Sequence, residues 1–186
     1  MHIADKDMSM KTVNTWPHQL HTYYVGKSTC KYVPTYLMYI LDMTASYIYC
    51  RFTDLQDQRM WIGNGQPRTG ACRGNPTHTG RAVDINYYTI LDDKALDEGQ
   101  TPNATQYRPT GISAAQIWDG TTFIPERFHW DANYTAFRIM KELGIAQYRT
   151  CNYIREEFRK RGYDITGMNG DFEFKYNHHT HAHIMV

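Results

Sequence analysis

Two short runs far apart in the chain both carry metal-ligand residues, and bringing them to one site constrains the fold more than any other feature. The first is Thr77-His78-Thr79-Gly80-Arg81-Ala82-Val83-Asp84-Ile85; the second is the closing His178-His179-Thr180-His181-Ala182-His183. A hydrolytic zinc takes about three protein ligands, usually neutral imidazoles with a carboxylate, and leaves a further position open. Two histidines and Asp84 meet that need. The spacing suits strands. His181 and His183 are two residues apart, so if 172 to 186 is largely extended they project from one face, and one imidazole can hold a metal while the other faces a substrate. The same period in 81 to 88 puts Ala82, Asp84 and Asn86 on one face and Val83, Ile85 and Tyr87 on the other. Gly80 suits a tight bend that turns His78 back toward Asp84.

These residues resemble a known family. Gly74-Asn75-Pro76-Thr77-His78-Thr79-Gly80-Arg81-Ala82-Val83-Asp84-Ile85 is similar to the His…Gly…Asp motif of the LAS metallopeptidases, which group lysostaphin-type enzymes, D-Ala-D-Ala carboxypeptidases and the Sonic hedgehog signalling domain. His178-x-x-His181-x-His183 resembles the closing motif of the penicillin-insensitive murein endopeptidases; many carboxypeptidase relatives place a glutamate shortly before the last histidine, where this chain has Thr180 and His181. Ile62-Gly63-Asn64-Gly65-Gln66-Pro67-Arg68-Thr69-Gly70 resembles the Gly/Pro-rich loop that leads to the first ligand in those endopeptidases. The two matching stretches cover about 62 to 90 and 172 to 186. Five residues separate His78 from Asp84, one fewer than the family usually has.

The resemblance implies His78, Asp84 and His183 as zinc ligands, with His181 beside the attacking water as a catalytic residue and His178 as a supporting one. It implies an α+β fold in which a small antiparallel sheet carries the zinc cleft and packs against helices. The implied substrate is bacterial peptidoglycan, with cleavage of its peptide cross-links favoured by the endopeptidase-like tail. A D-Ala-D-Ala carboxypeptidase or an L-Ala-D-Glu peptidase is the alternative among enzymes. A zinc-stabilised binding module without turnover is the alternative outside them, as is a structural protein with incidental histidines. Proton transfer would fall to His181, because an imidazole titrates near neutrality. Arg68, Arg73 and Arg81 are candidates for stabilising an oxyanion. The tail also admits a blander reading as a metal-scavenging tract, but Thr180 and Ala182 interrupt it and Ile184-Met185-Val186 continue it as a strand.

With 186 residues, the chain suits one domain spanning 1 to 186. Twenty basic against nineteen acidic residues, without a long basic run, argue against nucleic acid as a partner. The N-terminal residues contain no apolar run of the secretory type, an expectation that fits synthesis in the cytoplasm and release to the cell wall as a phage endolysin. The stretch 36 to 52 includes Asp42, Thr44, Ser46 and Arg51 and is too polar to span a membrane. Cys30, Cys50, Cys72 and Cys151 show no C-x-x-C spacing, so free structural thiols are expected rather than a thiolate zinc site.

Residues 36 to 50 admit a helix or a strand, with Leu37, Ile40, Leu41, Thr44 and Ile48 suiting helical spacing slightly better. A second helix is expected from an Asp131 N-cap through Ala136, Ile139, Met140 and Leu143 to Gly144, and a third from Thr150 through Ile154 and Phe158 to Gly162. Arg155 to Arg161 reads as its solvated face. Asn169-Gly170 is a hairpin signal that would send a strand from Phe172 into the histidine motif. The segment 92 to 125, with Trp118 and Phe123 as anchors, reads as an ordered excursion between core elements, equally suited to walling a substrate groove and to a structural insertion packed by its aromatics.

Overall fold

Helical spacing of apolar side chains sets the first long element. In a computed structural model that describes residues 10–12, 22–24, 32–56, 58–63, 82–90, 108–109, 123–171 and 181–186, helix α1 spans Thr35–Arg51 and buries Leu37, Ile40, Leu41, Thr44 and Ile48 together. The Thr44 hydroxyl donates to the Ile40 carbonyl at 2.7 Å, which satisfies a polar group that burial would otherwise penalise. Tyr39, Met43 and Tyr47 follow the same period on the outer face and stay about half exposed. No helix among the described residues is long and apolar enough to cross a membrane.

Helix α2 spans Trp130–Glu142 and buries Ala136, Phe137 and Met140. Ile139 and Leu143 sit at the margin of that face. Its N-cap is His129, not Asp131 as the sequence suggested: His129 Nδ1 accepts the Ala132 N–H at 3.2 Å. Asp131 instead lies in the first turn, where its carboxylate accepts from the Tyr163 hydroxyl. Gly144, at φ +102°, ends the turn in a conformation that a side chain would strain. Beside it the Tyr36 hydroxyl donates to the Leu143 carbonyl and ties the two helices together.

Helix α3 spans Asn152–Lys160 and buries Ile154 and Phe158. It starts two residues later than expected, since Thr150 belongs to the preceding strand. Arg155 and Arg159 both pair with Glu156, and Lys160 pairs with Glu157, along the outer face that the charge pattern indicated.

The strands are β1 (Met10–Thr12), β2 (Thr22–Tyr24), β3 (Tyr32–Pro34), β4 (Gln58–Ile62), β5 (Ala82–Asn86), β6 (Arg108–Pro109), β7 (Gln147–Cys151), β8 (Met168–Asp171) and β9 (His181–Met185). β1 and β3 form a separate antiparallel pair. Among the described residues the rest form a seven-stranded sheet ordered β2-β4-β5-β9-β7-β8, with β6 beside β4. The fold is therefore α+β, and its centre, β4-β5-β9-β7, is antiparallel as expected. The margins differ from the expected small antiparallel sheet: β2 and β6 run parallel to β4, and β8 runs parallel to β7.

β8 also corrects the hairpin. Asn169 and Gly170 lie inside the strand, opposite Arg149 and Thr150, rather than in a turn. The Asn-Gly signal is local, and parallel pairing with β7 outweighs it. Residues 172–180 lie outside the described part.

One hydrophobic cluster joins Leu37, Ile40, Leu41 and Ile48 of α1, Phe137 and Met140 of α2, and Phe158 of α3 to Val83, Ile85, Ala182 and Ile184 of the sheet. Phe128 is its aromatic hub, with ring centroids 4.5 Å from Trp130 and 5.0 Å from Tyr87. Phe123, one of the two anchors expected in 92 to 125, packs 5.6 Å from Phe128; Trp118 lies outside the described residues. Cys50 is exposed and Cys151 buried, both as free thiols; Cys30 and Cys72 are not among the described residues.

Candidate metal and catalytic site

Alternation along two neighbouring strands separates the core from a polar row. β5 and β9 pair antiparallel with Asp84 opposite His183, Asn86 opposite His181, Val83 opposite Ile184 and Ile85 opposite Ala182. Directly opposed residues share a face. Val83, Ile85, Ala182 and Ile184 enter the core cluster, so Asp84, His181 and His183 occupy the other face, as the sequence spacing predicted.

His183 Nδ1 lies 3.1 Å from Asp84 Oδ1, and His181 Nε2 lies 3.9 Å from the same oxygen. Side-chain exposure rises from 3 % at His183 to 32 % at His181. The inner imidazole is enclosed with the carboxylate while the outer one meets solvent. An imidazole nitrogen and a carboxylate oxygen facing each other at this range can share a proton, the N–H donating and the carboxylate accepting. They can equally share a metal, since ligands about 2.0–2.1 Å from a tetrahedral zinc stand about 3.3 Å apart.

Several residues fix Asp84 in place. The Gly63 N–H donates to the Asp84 carbonyl at 2.6 Å. A Cβ at Gly63 would stand 3.0 Å from the Asp84 Cβ, so only glycine allows this approach without displacement. Beyond the end of β5, the Asn133 side chain accepts the Tyr88 N–H and donates to the Tyr88 carbonyl, both at 2.8 Å. Gln58 donates to the Thr89 carbonyl at 2.6 Å. These buried amides hold the strand exit from α2 and β4. Tyr87, between them and Asp84, is fully enclosed; burial, and after it the neighbouring Cys151 and Asp84, hold its phenol well above the usual tyrosine range.

The sequence did not point to Gly63 as a positioning residue, nor to Asn133 and Gln58, because their partners are backbone groups far away in the chain. It also did not assign Arg149, which β7 places opposite His183. A second Asp–His pair, Asp54 with His129, was missed as well: His129 Nε2 lies 3.0 Å from Asp54 Oδ2.

His78, His178, Gly80, Arg68, Arg73 and Arg81 lie outside the described residues. Within the described residues, no group of three or more His, Cys, Asp or Glu is arranged to hold a metal. The chain thus brings together two of its three expected ligands, Asp84 and His183, a carboxylate and an imidazole suited to zinc. A cavity of 390 Å³ lies elsewhere, against α2 and β8, where Tyr134, Phe137, Arg138, Tyr148 and Met168 contribute to its wall. None of its lining comes from β5 or β9. No protein-family model matches the sequence, and no curated protein matches it.

Proposed function

We propose that the chain is a zinc-dependent peptidase that hydrolyses peptide cross-links of bacterial peptidoglycan. The observation that carries this reading is the facing of Asp84 and His183 at 3.1 Å on adjacent strands, with the half-exposed His181 beside them. The motif resemblance supplies the substrate.

Asp84 and His183, with His78 as third ligand, would hold zinc, which supplies Lewis acidity toward the scissile carbonyl and the attacking water. Asp84 and His183 are enclosed, so their positions are fixed before substrate arrives and reorganise little during reaction. His181 sits at the solvent edge of the row, where its imidazole would take a proton from the water and return it to the leaving amine. Gly63 and the Asn133 clamp act through Asp84 and its strand, keeping the carboxylate in register with His183.

The test is mass spectrometry of fragments released from purified peptidoglycan by metal-loaded protein, chelated protein and His181→Ala. Chelator-sensitive release of monomeric stems from cross-linked dimers, lost in His181→Ala with zinc retained, is the expected result. Zinc-loaded, folded protein that releases nothing would overturn the peptidase reading in favour of a binding module.

A further inference from the structure

The strand on the other flank of β9 adds a charge to the site. Arg149 of β7 stands directly opposite His183, as Asp84 does from β5. One row therefore crosses three strands in the order Asp84, His183, Arg149 on a single face of the sheet. His183 turns Nδ1 toward Asp84, so in the proposed zinc site the metal would sit on the β5 side of the row. Arg149 is left on the opposite flank, one strand spacing of about 4.8 Å from His183.

The residue is half-buried. Among the described residues it joins none of the ion pairs, which engage Arg138, Arg155, Arg159 and Lys160 on the helices, His129 with Asp54, and the two strand histidines with Asp84. Among the described side chains no carboxylate pairs with this half-buried guanidinium, which suits an anion that arrives from outside, and its planar fork matches a carboxylate through two parallel hydrogen bonds. Successive residues of an extended peptide advance about 3.5 Å. That advance is comparable to the spacing of about 4.8 Å between neighbouring strands, so a carboxylate one residue from an amide held at Asp84 and His183 would be within reach of Arg149.

We infer that Arg149 is the specificity-determining residue of this site and binds a free carboxylate on a residue adjoining the scissile amide, so that the substrate class is acidic rather than neutral peptides. This rests on the peptidase reading above, and the test separates the two. Zinc-loaded wild type, Arg149→Gln and Arg149→Lys are compared on acetyl-Lys-D-Ala-D-Ala peptides in two pairs. One pair carries carboxylate or carboxamide on the residue after the scissile bond, the other on the residue before it.

In one pair the wild type should favour the acid at least about tenfold, through KM. Arg149→Gln should erase that preference by raising KM for the acid, and Arg149→Lys should restore part of it. Equal KM for acid and amide in both pairs would overturn the inference, as would an Arg149→Gln variant that lowers kcat on acid and amide alike with the preference intact. If no peptide is cleaved, calorimetric binding of the same peptides decides. Acid-selective binding lost in Arg149→Gln sustains the carboxylate site while the peptidase reading falls, and equal affinities overturn the site itself.

Discussion

Two aspartate–histidine pairs of nearly the same length occupy different regions of this molecule. Asp84 and His183 stand 3.1 Å apart across adjacent strands, and Asp54 and His129 stand 3.0 Å apart at the mouth of a helix. Distance does not distinguish them; what surrounds them does. At the first pair both side chains are enclosed, at 10 % and 3 % exposure, and strand register sets their approach. At the second, Asp54 is 63 % exposed. His129 Nδ1 accepts the Ala132 N–H, so the ring proton sits on Nε2 and donates to Asp54. That imidazole serves as a helix cap, with its ring set edge-on against Phe52. The lesson is that an Asp–His contact acquires chemical meaning from the face and register that present it.

The sharpest way to break the contrast is His183→Ala, which should lower peptidoglycan hydrolysis at least about a hundredfold, measured by fragment release at equal protein concentration. Gly63→Val comes next. Its side chain would crowd the Asp84 Cβ, 3.0 Å from the position of an added Cβ, and activity should fall about tenfold, the size of effect expected when a ligand's support is disturbed.

Alkaline unfolding probes the same region through Tyr87 and Tyr88. Burial raises both phenols above the ordinary value of 10.0. The unfolded chain loses these protons from about pH 10 while the folded chain keeps them. Their contribution is therefore complete below that pH and is lost as pH rises toward the folded values, by about 1.4 kcal/mol per pH unit for each. Denaturant midpoints measured from pH 9 to 11 should show this fall in the wild type, and Tyr87→Phe should make it shallower.

His129→Ala should cost about 1 kcal/mol through the lost cap, read as a thermal midpoint lowered by about 3 °C, with hydrolysis unchanged. Asp54→Asn, at the exposed end of that pair, should cost at most about 1 kcal/mol. Loss of activity in either variant would erase the distinction between the two pairs.

Much of this arrangement is legible in the sequence where a period carries it. Leu37, Ile40, Leu41, Thr44 and Ile48 tip 36 to 50 from strand toward helix, and α1 gathers them on one side. Asp84, His181 and His183 separate from Val83, Ile85 and Ile184 because a strand alternates. Signals that depend on a local residue type were less faithful. Asp131 is a good N-cap by type, yet α2 begins one residue earlier, where the Trp130 indole donates to the Pro125 carbonyl at 3.0 Å and His129 caps the turn. Asn169-Gly170 reads as a hairpin until its pairing with β7 is known. Arg149 was invisible for a different reason. Its proximity to His183 exists only through the β7–β9 register, which joins segments that no short-range pattern relates.

Zinc stoichiometry of the purified wild type, His183→Ala and His129→Ala proteins, measured by inductively coupled plasma mass spectrometry after identical dialysis, decides whether the Asp84–His183 pair holds a metal that the Asp54–His129 pair does not. About one zinc per chain is expected in the wild type and in His129→Ala, and almost none in His183→Ala. Full zinc occupancy in His183→Ala, or none in the wild type, would contradict a zinc site at Asp84 and His183.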